Sequence, residues 1–122
     1  MMREITFEPK ECLKSDENPE PKLSGSVTVQ GPAFEKKYEI LMDEDIRGLK
    51  QDESEASKIL NLKAMLKVLV MCKDQIKKIE LKHIDGTVYN DLQSLKNDGR
   101  LDGTVFEIAA KIMETFAPEK NS

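Results

Sequence analysis

Apolar residues crowd together at one place in the chain, Ser57–Lys78, SKILNLKAMLKVLVMCKDQIKK. At 100° per residue, Leu62, Met65, Leu66, Leu69, Cys72 and Ile76 fall on one face, with Ile59 and Val70 at its margin. That period is helical, not alternating. A helix over the whole stretch would run about 33 Å, long for a small domain. A second stripe, Leu60, Ala64, Val68 and Met71, lies roughly opposite, with Lys63, Lys67 and Asp74 in one gap. A surface helix needs only one apolar stripe. Two stripes predict cover on two sides, by the rest of this chain or by another chain. Ser54 or Ser57 suits the start of the helix, and Lys73, Lys77 and Lys78 suit the negative end of its dipole.

The chain ahead of this helix reads as short strands and loops. Glu4-Ile5-Thr6-Phe7 alternates briefly, and Pro9 limits its extension. Residues 15–21, SDENPEP, contain two prolines and no apolar residue apart from them, which predicts a mobile loop. Over Lys22–Gln30, Leu23, Gly25, Val27 and Val29 alternate with Ser24, Ser26 and Thr28, a strand with one apolar and one hydroxylic face. Its partner is Ile5–Phe7 or a later strand. Ala33–Asp43 fits two periods, Phe34, Tyr38 and Leu41 for a helix or Tyr38, Ile40 and Met42 for a strand. Its Glu, Lys, Leu and Met content and the preceding Pro32 favour the helix. Residues 43–56 are acidic and apolar only at Ile46, Leu49 and Ala56, a second mobile loop or a loose helical turn.

Beyond the helix, Ile79–Ile84 alternates and meets Asp85-Gly86, a strong turn signal, with Thr87-Val88-Tyr89 as the returning strand. Asn90 or Asp91 can cap a short helix through Leu92 and Leu95, stopped at Asn97-Asp98-Gly99. Thr104-Val105-Phe106-Glu107 has the form of a capping box opening a last helix. Val105, Ile108, Ala109, Ile112, Met113 and Phe116 make its stripe, and Pro118 ends it. The fold class expected is α+β, mostly helical. Short N-terminal strands and a hairpin-like turn pack on a small helical bundle around one long central helix, in a single domain over residues 1–122.

Composition narrows the function classes. Charged residues are 34% and aromatic residues 5%, a solvated chain with a modest aliphatic core. The net charge of −4 argues against nucleic acid. Lys63, Lys67, Lys73, Lys77, Lys78 and Lys82 read as a solvated face. No apolar run reaches membrane length and Met1-Met2-Arg3-Glu4 turns polar at once, so a cytoplasmic protein without membrane contact is expected. Cys12 and Cys72 have no metal spacing and read as idle thiols.

Chemistry finds no footing in the residues. His83 is the single histidine and reads as a half-exposed strand residue. Asn97–Gly103 lacks alternating oxygen ligands and a Glu at the twelfth position, so it fails as a calcium loop, and its glycines read as turn positions needing positive φ. The Asp43, Glu44, Asp45 cluster reads as loop charge. There is no glycine-rich phosphate loop, and no carboxylate lies among apolar residues. No catalytic, cofactor or metal site is expected. Association remains, with Leu60, Ala64, Val68 and Met71 as the candidate partner-binding stripe, unless the N-terminal strands cover it.

The order of elements resembles the tail assembly chaperones of long-tailed bacteriophages. The likeness runs through Gly25-Ser26-Val27-Thr28-Val29, Pro32 and Phe34–Leu41, then the long helix ending at Cys72-Lys73. It continues through Ile79-Glu80-Leu81, Asp85-Gly86 and Leu92–Leu95 to Phe106-Glu107-Ile108-Ala109, covering most of the chain from Leu23. Arg3–Pro21 has no counterpart in it. The resemblance implies binding of the helical tape measure protein and help for tail-tube subunits assembling around it, in the host cytoplasm, with room for a homo-oligomer. The alternative is a small bacterial adaptor or regulatory domain that binds one protein partner.

Overall fold

Alternation along residues 23–30 becomes strand β2 (Leu23–Gln30), in which Leu23, Val27 and Val29 are buried and Ser24 is exposed. The computed structural model describes residues 4–47 and 55–115, with side chains from residue 61 onward in the second stretch. Strand β2 lies between β1 (Glu4–Phe7) and β3 (Ile76–His83), and β4 (Val88–Tyr89) follows β3, in one antiparallel sheet of order β1-β2-β3-β4. Both partners anticipated for β2 therefore pair with it, Ile5 opposite Val29 on one side and Ile79 opposite Val27 on the other.

Five α-helices complete the described residues: α1 (Phe34–Leu41), α2 (Glu44–Arg47), α3 (Glu55–Met71), α4 (Leu92–Asn97) and α5 (Asp102–Glu114). Helix α5 packs on β2, α3 packs on α5, and α2 packs on α3. Ile108, Ala109 and Ile112 of α5 are wholly buried, as are Val27 and Val29 of β2. The fold is α+β and mostly helical. The ambiguous segment at Ala33–Asp43 is helical, and the acidic stretch after it contains the short helix α2, anchored by buried Ile46. Ser57 lies within α3 and is not its cap, whereas Ser54, the side chain of Leu60 and the chain from Phe116 lie outside what is described.

The long helix is shorter than its apolar pattern. It ends at Met71, Lys73–Gln75 make a single 3-10 turn, and Ile76 already belongs to β3. Lys77 and Lys78 are thus strand residues, not a helix C-terminus. Within the sheet the register is irregular: Thr28 pairs with Lys78 and Val29 with Ile76, so β3 takes two steps where β2 takes one. The extra residue turns Ile76 to the same side as Ile79 across a gap of three. A gap of three is also a helical spacing.

Local turn chemistry holds the rest. In the β3–β4 hairpin, Gly86 takes φ 97° and its N–H donates to the His83 carbonyl at 2.9 Å. Asp91 caps α4 by accepting the Ser94 N–H at 2.8 Å. The start of α5 corrects the expected capping box. The helix opens at Asp102, and the Thr104 hydroxyl is buried without a partner. A carboxylate from the other end of the chain does the capping, since Glu11 Oε1 accepts the Thr104 N–H at 3.1 Å. In return Glu107 Oε1 accepts the Lys10 N–H at 2.8 Å, at the head of the 3-10 turn Lys10–Cys12. The glycines of Asn97–Gly103 do not take positive φ. Gly103 serves differently: a Cβ there would meet Glu11 Oε1 at 2.9 Å. Residues 15–21 form a loop folded around Asn18, whose amide donates to the Glu11 and Leu13 carbonyls.

Two substitutions test this account. Gly25 sits at φ +121°, and a Cβ there would lie 1.8 Å from the Glu80 carbonyl oxygen. Gly25→Ala is expected to lower stability by about 3 kcal/mol, combining backbone strain with a clash against the neighbouring strand. Glu11→Ala removes the cap of α5 and is expected to cost about 1 kcal/mol. Urea unfolding of each variant measures both.

Candidate functional site

Helix α3 is apolar on two sides, and the structure buries one of them. Ala64, Val68 and Cys72 are wholly covered, Leu69 is buried beside them, and Met65 and Met71 pack partly against the same core. The candidate partner stripe is therefore largely core: Ala64 and Val68 offer no surface and Met71 is half-buried. On the other side Leu62 is 44% exposed, Leu66 48% and Val70 67%. Spaced four apart, these three form one stripe along the helix. The buried side takes Leu69 and Cys72 from the first stripe and Ala64 and Val68 from the second, and the open side is Leu62, Leu66 and Val70.

Helix α1 also leaves an apolar face open. Ile40 is its one wholly buried residue, while Phe34, Tyr38 and Leu41 lie on the outward face, continued by Met42. Phe34 and Tyr38 pack ring against ring, with centroids 4.7 Å apart. Sequence reading found this helix but not which face it shows. The signal available was Ile40, the one apolar residue of α1 set apart from the others at helical spacing.

Asp43 and Asp45 tie the start of α2 to α3. Asp43 Oδ1 accepts the Asp45 N–H at 2.9 Å, and its Oδ2 meets Lys67 Nζ at 3.3 Å. Lys63 reaches Asp45 at 3.5 Å. Desolvation opposes ionisation of Asp43, but Lys67 and the α2 N–H groups outweigh it and hold its pKa below the usual value. The acidic cluster thus caps and pairs. The lysines do not share one face, because Lys63 and Lys67 lie on α3 whereas Lys77, Lys78 and Lys82 lie on β3.

A charged cleft lies elsewhere, between the N-terminal loop and the β3–β4 hairpin. It has a volume of about 310 Å³, and its walls include Glu11, Lys22, His83 and Arg100. His83 is less exposed than expected, at 11% for its side chain, and its Nδ1 accepts the Asp85 N–H at 3.2 Å. Arg100 joins the hairpin to the α4–α5 turn, donating to Asp98 Oδ2 at 2.7 Å and Asp85 Oδ2 at 2.9 Å. The buried Tyr89 hydroxyl also donates to Asp98. The Arg100 guanidinium, then Tyr89, hold Asp98 well below the usual carboxylate range, and Thr87, then Arg100, do the same for Asp85. Both carboxylates stay ionised at neutral pH and act as struts. Glu11 is committed to the α5 cap.

The cysteines are free, and burial leads the causes that push both thiols up to about 11. They are protonated at neutral pH and so poor nucleophiles. Among the described residues no cluster of His, Cys, Asp or Glu is suited to a metal ion, and no helix is long and apolar enough to cross a membrane.

The two sides of α3 give opposite mutational outcomes. Leu66→Glu is expected to change stability by less than about 1 kcal/mol, whereas Val68→Glu buries a carboxylate and is expected to abolish folding. Circular dichroism and thermal melts distinguish them. A second prediction concerns acid. Asp85 and Asp98 have depressed folded-state pKa values, so their contribution is present above the unfolded value of about 4 and is lost as pH falls below it. Arg100→Met removes the cation and should lower the urea midpoint at pH 7 while flattening its fall between about pH 4 and pH 2. Compared with protein-family models, curated proteins and solved structures, the chain matches none of them.

Proposed function

We propose that this chain works by binding protein rather than by catalysis, as a tail assembly chaperone of the kind made by long-tailed bacteriophages. Its contact surface is the pair of open apolar stripes on α1 and α3. One observation carries the reading: seven of the ten large hydrophobic residues that stand exposed among the described residues lie on these two helices or at the end of α1. Scattered exposed apolar residues are ordinary, but concentrated ones mark interaction sites.

The mechanism follows from the surface. A partner helix lays its apolar stripe against Leu62, Leu66 and Val70, or against Phe34 and Tyr38, and both sides leave water. Full burial of one such side chain is worth roughly 1.5–3 kcal/mol, against which association entropy must be set. A single site is therefore weak, and a long partner gains by engaging several copies along its length. The tape measure protein, with tail-tube subunits assembling around it, is a partner of that shape. The work would take place in the host cytoplasm, with no membrane or nucleic acid involved.

Co-expression of the tagged full chain with its flanking genes, followed by mass spectrometry of what is retained, tests this. A long helical protein should be retained and should be lost on Leu66→Glu or Phe34→Glu in variants that still fold. Retention of one short unrelated protein would point to the adaptor reading. Retention of no protein would overturn the proposal.

A further inference from the structure

The charged cleft beside the β3–β4 hairpin has no part in protein binding, and its walls differ in chemistry. One wall is the N-terminal loop, which brings Glu11 and Asn18 to it. The Asn18 amide donates to the Glu11 carbonyl at 3.1 Å and to the Leu13 carbonyl at 3.0 Å. Both partners are acceptors, so the NH2 must face them, and Oδ1 is the atom left over. Glu11 uses Oε1 to accept the Thr104 N–H, and its Oε2 has no hydrogen bond among the described residues. This wall therefore offers acceptors. A second wall is the end of the sheet, where Leu23 pairs with His83 and the Lys22 carbonyl accepts the Ile84 N–H. His83 Nδ1 accepts the Asp85 N–H, which leaves the ring hydrogen on Nε2 as a donor without a partner among the described residues. Lys22 is exposed, and its ammonium forms no ion pair among the described residues. This wall offers donors. Arg100 also borders the cleft, but Asp85 and Asp98 already hold its guanidinium.

We propose that this cleft binds a free amino acid, its carboxylate against Lys22 Nζ and His83 Nε2 and its ammonium against Glu11 Oε2 and Asn18 Oδ1. Both ends of the ligand then make charge-assisted hydrogen bonds, the stronger kind. The volume of about 310 Å³ lies at the lower end of small-molecule sites, roughly 300–1,000 Å³, which suits a ligand of that size. The same layout selects against a ligand of a single charge. An anion would meet the carboxylates of Glu11 and Glu20, both in the lining, while a simple amine would leave Lys22 and His83 without an acceptor. None of these residues belongs to the open stripes of α1 and α3, so this site goes beyond the protein-binding reading and stands apart from it.

The test screens the standard amino acids against the full chain by saturation-transfer nuclear magnetic resonance, each at about 10 mM so that millimolar binding registers. The tightest binder is then compared by calorimetry with the amine that lacks its carboxylate and the acid that lacks its ammonium. Each analogue is expected to bind at least about tenfold weaker, because it loses one charged hydrogen-bonding end. Lys22→Met, at an exposed position, should weaken the amino acid by about the same factor while leaving the amine unchanged. Glu11→Gln should weaken the amino acid and leave the acid no weaker, with circular dichroism checking that the variant folds. Binding of no amino acid would overturn the proposal. So would an amine or an acid that binds as well as the amino acid, which would mean a site for a single charge. Binding untouched by both Lys22→Met and Glu11→Gln would place the ligand elsewhere and overturn it too. Each of these failures leaves the protein-binding reading standing, since that is judged by what co-expression retains.

Discussion

Helix α3 carries apolar side chains on two sides, and only one of them can face the core. The buried side runs through Ala64, Val68 and Cys72, with Leu69 at its edge. Ala64 has nothing beyond Cβ, which allows a neighbouring element to come close. Once that side is turned inward, Lys63 and Lys67 are placed to reach Asp45 and Asp43, so α2 is attached and Ile46 is carried into the core. The opposite side, Leu62, Leu66 and Val70, then has nothing of the described chain left to cover it. Burial and exposure on this helix are one constraint seen from two sides.

The N-terminal segment is held by a different logic. Ile5, Phe7 and Cys12 pack partly against the core, β1 borders β2 and Pro9 is buried, but hydrogen bonds fix where the segment ends. Glu11 and Glu107 exchange caps, each carboxylate satisfying a backbone donor at the head of the other's helix. Helix starts leave N–H groups without partners, and a buried one must find an acceptor somewhere. Here the acceptor is distant in sequence, which binds the first turn of the chain to its last helix.

Much of the architecture was legible in the sequence because its causes are local. Strand β2 follows from Leu23, Val27 and Val29, the hairpin from Asp85-Gly86, and α4 from Asp91. What failed did so for non-local reasons. Ile76 lies four residues after Cys72, a helical spacing that lengthened the apparent helix, although it pairs with Val29 in the sheet. Thr104 and Glu107 spell a capping box, but Glu11 reached Thr104 first. Of the candidate partner stripe, Ala64 and Val68 are buried and Met71 is half-buried, because a helix with two apolar stripes carries no periodic record of which side is covered. The packing of α3 on α5 and α2, elements distant from it or flanking it in sequence, decides that.

The functional account depends on that same choice of side, so the most direct measurement is of methyl exposure in the free chain. Methyl-labelled protein would be studied by nuclear magnetic resonance with a soluble paramagnetic probe that relaxes only surface groups. The methyls of Leu62, Leu66 and Val70 should be strongly relaxed, while those of Val68 and Ile108 stay protected. Protection of Leu66 and Val70 together with relaxation of Val68 would mean that α3 faces the other way, and the binding surface described for it would be wrong.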